Sequence, residues 1–328
     1  MSGSGGSRSA AVSVRLRITV ELGTPTFGPS LPPAAGVARE AVAEDYRDRA
    51  GYAADFLGSS FRVPLPEVRR ARADVLTFDE GGRRGSVLRY EHFSVVMSRG
   101  RRMCFVSACN IDGKLSKKSG RGTWKWDDRI PREQQIMHEC YGNPPKFSRG
   151  HMTRREDPGW GADDDTARRG NEDSMHVTNA VPQMQAFNAP IWLALEDYAL
   201  QHARQDRMRI SVFTGPYFGD DDRPMYGVRI PVAFWKVIAF IHDDTGQLCA
   251  TGYGMEQKGQ IPTREFVFGE FDSPQFGIAT QVPIAAIAER AGIDFGPLER
   301  ADPLAEGTRE AVSAPMPLQA LEQIRFLR

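Results

Sequence analysis

The chain has 328 residues, 41% of them hydrophobic and 26% charged, and its 42 basic and 42 acidic side chains cancel. This is the composition of a soluble globular protein with one large or two modest domains, and no apolar run is long enough to span a bilayer. Four cysteines, Cys104, Cys109, Cys140 and Cys249, form no CxxC pair and no zinc spacing, so they read as reduced core thiols.

Residues 1–10 are a Gly/Ser-rich flexible start. Apolar residues then alternate from Val12 to Leu22, a period-two pattern that predicts a half-buried strand. Arg15 and Arg17 interrupt what a signal peptide would keep apolar, so the sequence predicts a cytoplasmic protein. Residues 25–35 are rich in proline and glycine and read as a linker, and a polar helical stretch is expected from Val37 to Leu57. Two Val/Phe-rich runs, Leu88 to Ser98 and Met103 to Ile111, flank Arg99-Gly100-Arg101 and predict a hairpin. Residues 112–150 read as loop, with a short helix around Arg132–Cys140.

Asn188 opens an amphipathic helix in which Ile191, Leu195, Tyr198 and His202 share a face. Strands are expected at Ile210–Thr214, Val232–His242 and Gln247–Tyr253, and a helix at Ile284–Ala291 behind Pro283. The chain thus divides into an arm over 1–85, a core over 86–300 and a tail over 301–328, with no internal repeat. This order of elements points to an α+β domain built on an antiparallel sheet.

Charge is unevenly spread. Between Arg99 and Glu133 ten basic residues face four acidic ones, which leaves +6 there and −6 over the rest of the chain. Such a segment is either a solvated loop or a phosphate-binding groove, for which Lys114, Lys117, Lys118, Arg121 and Arg129 are the candidates. Asp163-Asp164-Asp165 and Asp220-Asp221-Asp222 lack the spaced ligands of a calcium loop and read as solvated loops.

The chemistry-bearing residues are His151, Asn179, Asn188 and Glu196, in that order at separations of 28, 9 and 8. Neutral imidazole can take a proton from water, and amide and carboxylate oxygens suit a hydrated hard cation. Each residue also has a plain structural reading. A lone histidine is often part of a core, Asn188 is a favoured helix N-cap, Asn179 suits a turn, and Glu196 a solvated helix face. His176 reads as a core histidine.

The ordered segments Phe147-Ser148-Arg149-Gly150-His151-Met152, Thr178-Asn179-Ala180-Val181-Pro182-Gln183 and Phe187-Asn188-Ala189-Pro190-Ile191-Trp192 resemble the DNA/RNA non-specific endonuclease family, over roughly residues 85–300. That resemblance implies a ββα-metal active site and hydrolysis of DNA and RNA with little sequence preference. It further implies His151 as general base, Arg149 on phosphate, and Asn179 ordering the site and touching phosphate. Asn188 would bind Mg²⁺ (or Mn²⁺) directly and Glu196 through water. Arg121 is the candidate for stabilising the transition state, with Lys117, Lys118 and Arg129 competing for that role.

Ser148 departs from the family's usual aspartate, which leaves room for a catalytically weakened nucleic-acid-binding protein. A phosphodiesterase acting on small nucleotides is the other alternative. A homodimer or a regulatory partner is compatible with the chain; a membrane is not expected.

Overall fold

A computed structural model describes residues 45–143, 145–184, 200, 203–259, 261, 280–305 and 316–317. The strand expected at 12–22, the linker at 25–35 and the segment carrying Asn188 and Glu196 lie outside the described residues, as does most of the tail.

The core is an antiparallel sheet whose strands are β1 (Leu88–Arg89), β2 (Phe93–Met97), β3 (Cys104–Asp112), β6 (Arg209–Tyr217), β7 (Ala233–Ile241), β8 (Leu248–Glu256), β9 (Thr280–Gln281) and β10 (Met316–Pro317). Their order across the sheet is β10-β9-β8-β7-β6-β3-β2-β1. A separate ribbon pairs β4 (Phe147–His151) with β5 (Ala180–Met184), and two helices, α1 (Asp164–Asp173) and α2 (Ile284–Ala291), complete the main elements. The fold is therefore mixed, with mostly antiparallel sheets and few helices.

The expected hairpin is present: β2 pairs with β3, with a register shift between Val96 and Met97. The strands expected near 210, 232 and 247 and the helix at 284–291 also form. The helix expected around Arg132–Cys140 is instead two single 3₁₀ turns, Arg132–Gln134 and His138–Tyr141. Pro131 and Gly142 bound the segment, and Gln135 between the turns is extended.

Residues 45–57, expected to continue a helix, form turns and extended chain. Nor is residue 85 a packing boundary. Leu57, Val63, Val68, Leu76 and Phe78 belong to the same hydrophobic core as the strands. Glu67–Val68 even pairs with Ile293–Asp294, a contact too distant in sequence for local pattern to reveal.

The two faces of the sheet differ. Directly paired residues share a face, so Ala108, Phe213, Val237 and Gly252 line one side. There α2 packs closely, because a Cβ on Gly252 would lie 2.7 Å from the Ile287 side chain. The opposite face carries a buried polar row, Ser107, Thr214 and Lys236, in which Lys236 Nζ donates to Thr214 Oγ1 at 3.0 Å. Buried polar groups need partners, and Ser107 finds its own in Thr153 and Asn179, which flank the ribbon β4–β5. All four cysteines are buried and none is in a disulfide. No helix among the described residues is long and apolar enough to cross a membrane.

Leu200 and residues 203–205 are helical, the end of the helix expected from Asn188. That end abuts the exit of β3, where a Cβ on Gly113 would sit 1.6 Å from the Ala203 carbonyl oxygen. Gly113→Ala should therefore force the two segments apart and destabilise the protein by about 1–3 kcal/mol, the usual cost of overpacking. Urea unfolding measures this, and an unchanged midpoint would show that the contact yields freely.

Candidate active site

Ribbon β4–β5 sets the site. Its register pairs Ser148 with Gln183, Arg149 with Pro182, Gly150 with Val181 and His151 with Ala180. Successive side chains in a strand point to opposite faces. Arg149 and His151 therefore share one face, with Ser148 and Gly150 on the other. A Cβ at 150 would lie 2.0 Å from the Gln183 side-chain amide, so any larger residue there would have to displace that side chain.

His151 is half-buried. Its ring lies 4.5 Å from that of Trp124, and Nε2 is 3.4 Å from Met175 Sδ. A thioether only accepts, so the contact assigns the proton to Nε2 and leaves Nδ1 as the lone pair. Burial, followed by the positive charges of Arg121 and Arg155, pushes the imidazole pKa down to about 3. Arg155 is itself held by the Ser119 carbonyl at 3.0 Å and Glu156 at 2.9 Å. Trp124, Met175 and Arg155 escaped the sequence reading, although Trp124 lies three residues from Arg121 and Arg155 four from His151.

Arg149 has no acidic partner among the described residues. Its Nη2 donates to His138 Nδ1 at 2.6 Å, and its guanidinium lies 5.2 Å from the Tyr141 ring and 5.9 Å from that of Trp124. Arg149 Nε and the Tyr141 hydroxyl are buried and make no hydrogen bond among the described residues.

Asn179 is fully buried. Its Oδ1 accepts from Thr153 N at 2.8 Å and Ser107 Oγ at 3.0 Å. Its Nδ2 donates to the Thr153 and Ser174 carbonyls at 2.8 and 3.0 Å. Every donor and acceptor of the amide is used within the protein, so in this arrangement Asn179 has no free side-chain atom for the expected phosphate contact.

The segment 113–126 drapes over this region, with Lys117 N donating to the Gly159 carbonyl and Lys125 N to that of Met175. Lys114, Lys118 and Arg121 are exposed there and carry no ion pair among the described residues. Lys117 pairs with Asp164 at 2.6 Å. Arg129 does not belong with them. It is held by Asp127 at 2.6 Å, donates to the Arg89 carbonyl and lies 3.8 Å over Tyr46, so it is a structural cation rather than a surface one. Burial alone would raise the Asp127 pKa, and hydrogen bonds and charge from Arg129 more than offset this, leaving it lowered.

The aspartate runs also differ from solvated loops. Asp163 caps α1 by accepting from Thr166 N at 2.7 Å, with Asp164 and Asp165 in the first turn. Asp222 is buried against Arg101 at 2.6 Å. His176 is a core histidine, with Nε2 2.6 Å from Tyr46 Oη and Nδ1 2.7 Å from the Asp173 carbonyl. Among the described residues no group of three or more His, Cys, Asp or Glu side chains forms a metal cluster. The expected ligands Asn188 and Glu196 lie outside the described residues.

Residues 74–301 match the model of the DNA/RNA non-specific endonuclease family, and the chain belongs to that family. The uncharacterized protein y4fB of Sinorhizobium fredii (strain NBRC 101917 / NGR234) is 38% identical over 266 residues, covering 75% of this chain. The chain spans only 39% of that relative's length. Among solved structures, a chain from the EndoG/EndoGI complex, described for the mechanism of EndoG inhibition, is similar with TM-score 0.47 and 20% identity. That likeness covers 64% of this chain and 84% of the other.

Replacing Asn179 by Ala strands the Thr153 N–H and two carbonyls in the interior and leaves the Ser107 hydroxyl only its contact with the Thr153 hydroxyl. Each orphaned group costs about 1–3 kcal/mol, so Asn179→Ala should lose roughly 3 kcal/mol or more. A variant that melts with the parent but binds oligonucleotide poorly would instead restore a phosphate-contacting role.

Proposed function

We propose that the chain is a metal-dependent endonuclease that hydrolyses phosphodiester bonds of DNA and RNA with little regard for sequence. The observation that carries this reading is the pairing, on one strand face, of an imidazole with an arginine that no carboxylate among the described residues neutralises. Such a pair suits a phosphodiester, whose negative charge Arg149 can meet while His151 takes a proton. Contacts to phosphate carry no sequence information, which fits a groove lined by Lys114, Lys118 and Arg121, exposed cations with no ion pair among the described residues.

In this mechanism a water molecule attacks phosphorus and passes its proton to Nδ1 of His151. The bond from phosphorus to the 3′-oxygen breaks, the leaving oxygen takes up a proton from solvent, and the family resemblance implies a product that carries a 5′-phosphate. Arg149 and Arg121 offset the charge that gathers on the non-bridging oxygens. Arg155 stays bound to Glu156 and the Ser119 carbonyl, and acts on the imidazole through its field. The protein oxygens for a hard cation would come from Asn188 and, through water, Glu196, as the family resemblance implies. Mg²⁺, or Mn²⁺, held there would supply Lewis-acid stabilisation of the leaving oxygen. Ser148 lies on the strand face away from His151, which favours retained catalysis over a lapsed enzyme.

Plasmid DNA and RNA incubated with the protein should both be cut, and EDTA should stop the reaction. His151→Ala should reduce cleavage by roughly 10²–10⁴-fold with oligonucleotide binding nearly intact. Cleavage near the parental rate in that variant would remove His151 from its role.

The pH dependence has a definite sign. The His151 pKa is depressed to about 3, so the base form survives as pH falls through the ordinary histidine range. The acid limb of kcat/KM should then lie below about pH 5. Arg121→Gln or Arg155→Gln removes a positive neighbour and should move the limb to higher pH. A parental limb near the ordinary histidine pKa would contradict the assigned environment.

Neutralising Lys114, Lys118 and Arg121 together should weaken binding to every sequence alike and flatten the slope of log affinity against log salt by roughly 0.7–0.9 per lost phosphate contact. An unchanged slope would return these residues to ordinary solvated surface.

A further inference from the structure

Arginines elsewhere in this chain are commonly neutralised. Arg49 is bound by Asp173 at 2.7 Å, Arg101 by Asp222 at 2.6 Å, Arg129 by Asp127 at 2.6 Å and Arg169 by Glu91 at 2.6 Å. Arg149 is different. Its hydrogen-bond partner is the imidazole of His138, at 2.6 Å.

A guanidinium has five donors and no acceptor. The contact therefore requires a bare Nδ1 on His138, with the proton on Nε2, which makes His138 neutral in this arrangement. A neutral acceptor fixes the direction of the guanidinium plane without cancelling its charge. A carboxylate in the same place would orient it as well, but would compete with an incoming phosphate for the same cation.

His138 is also well placed to hold a direction. It opens the turn His138–Tyr141, and the Tyr141 ring lies under the same guanidinium at 5.2 Å. Lys146 N donates to the Tyr141 carbonyl at 2.7 Å, which ties the turn to the residue preceding β4. Arg102 Nη2 donates to the Gln135 carbonyl at 2.8 Å on the turn's other side. One short turn thus supplies both the ring beneath Arg149 and the acceptor at its edge.

We infer that His138 is a positioning residue for Arg149, an uncharged acceptor that aims the guanidinium at phosphate while leaving its charge free. The inference rests on the proposed role of Arg149 in binding the substrate phosphate, and it adds a requirement which that role does not contain: the partner must accept a hydrogen bond and must not be an anion.

Four variants test it on plasmid cleavage: His138→Leu, His138→Asn, His138→Asp, and His138→Leu combined with Arg149→Ala. Leucine removes the acceptor and should lower kcat/KM roughly ten- to a hundredfold, the usual range for a hydrogen bond to a charged group. Asparagine places an amide oxygen near the position of Nδ1 and should recover activity to within roughly threefold of the parent. Aspartate bonds more strongly but neutralises the guanidinium, so it should fall as far as leucine, with KM raised. Added to Arg149→Ala, the leucine should cost less than about twofold further, because the two residues act as one unit.

The inference is overturned if leucine is parental, if aspartate matches the parent, or if leucine costs as much without Arg149 as with it. The same variants are ranked by affinity for a short DNA oligonucleotide in EDTA, where no cleavage is needed. A parent that never cleaves would sink the nuclease reading alone, and this affinity ranking would still decide the role of His138.

Discussion

A single buried amide holds the candidate site together. Asn179 grips Thr153 through both its N–H and its carbonyl, and its own backbone carbonyl accepts from Met152 N at 2.9 Å. These are the two residues that follow His151. On the sheet side the same amide takes the Ser107 hydroxyl, one of the buried polar residues that β3, β6 and β7 present. The position of the imidazole is thus inherited from the central sheet through one side chain. Because that side chain has no free valence, any shift of Asn179 leaves orphaned polar groups in a region that excludes water. The geometry is correspondingly stiff.

On this frame the charges sort by what they meet. Arg129 sits among Asp127, the Arg89 carbonyl, Tyr46 and Tyr90, and its energy goes into holding the segment after Lys125 against the core. Arg121 has none of these partners, and its field reaches His151 instead. Arg149 lies between the two cases, buried enough to be aimed and unopposed by any carboxylate among the described residues. Formal charge along the sequence treats these three alike. Their surroundings give them different work, and only surroundings distinguish a structural cation from one available to phosphate.

This explains which parts of the protein were legible in the sequence. The strands near 93, 104, 209, 233 and 248 were readable because each carries a local apolar run, and α2 because Pro283 marks its start. The segment Arg149-Gly150-His151 was readable as a motif, and its strand alternation follows directly. Residues 45–85 were misread as an arm because their burial depends on partners far along the chain, such as Ile293 for Val68. Asp163-Asp164-Asp165 was misread because a cap is a relation between a side chain and a backbone N–H, and composition carries no trace of it. Trp124 and His138 were missed for the same reason. Nothing in their own neighbourhoods says that two rings and an imidazole will converge on one guanidinium.

The departure at Ser148 can now be weighed on geometry. An aspartate at 148 would stand on the strand face opposite His151, beside Gln183, and would not touch the imidazole ring. The depressed pKa of His151 is accounted for by burial and by Arg121 and Arg155, with no acidic group contributing. From position 148 a carboxylate would reach the imidazole through its field alone, as Arg121 and Arg155 do. What position 148 can also affect is the packing of Gln183 across Gly150, and through it the register of β4 on β5. A serine is small enough to leave that register intact, and the strand alternation turns its hydroxyl to the face opposite the imidazole.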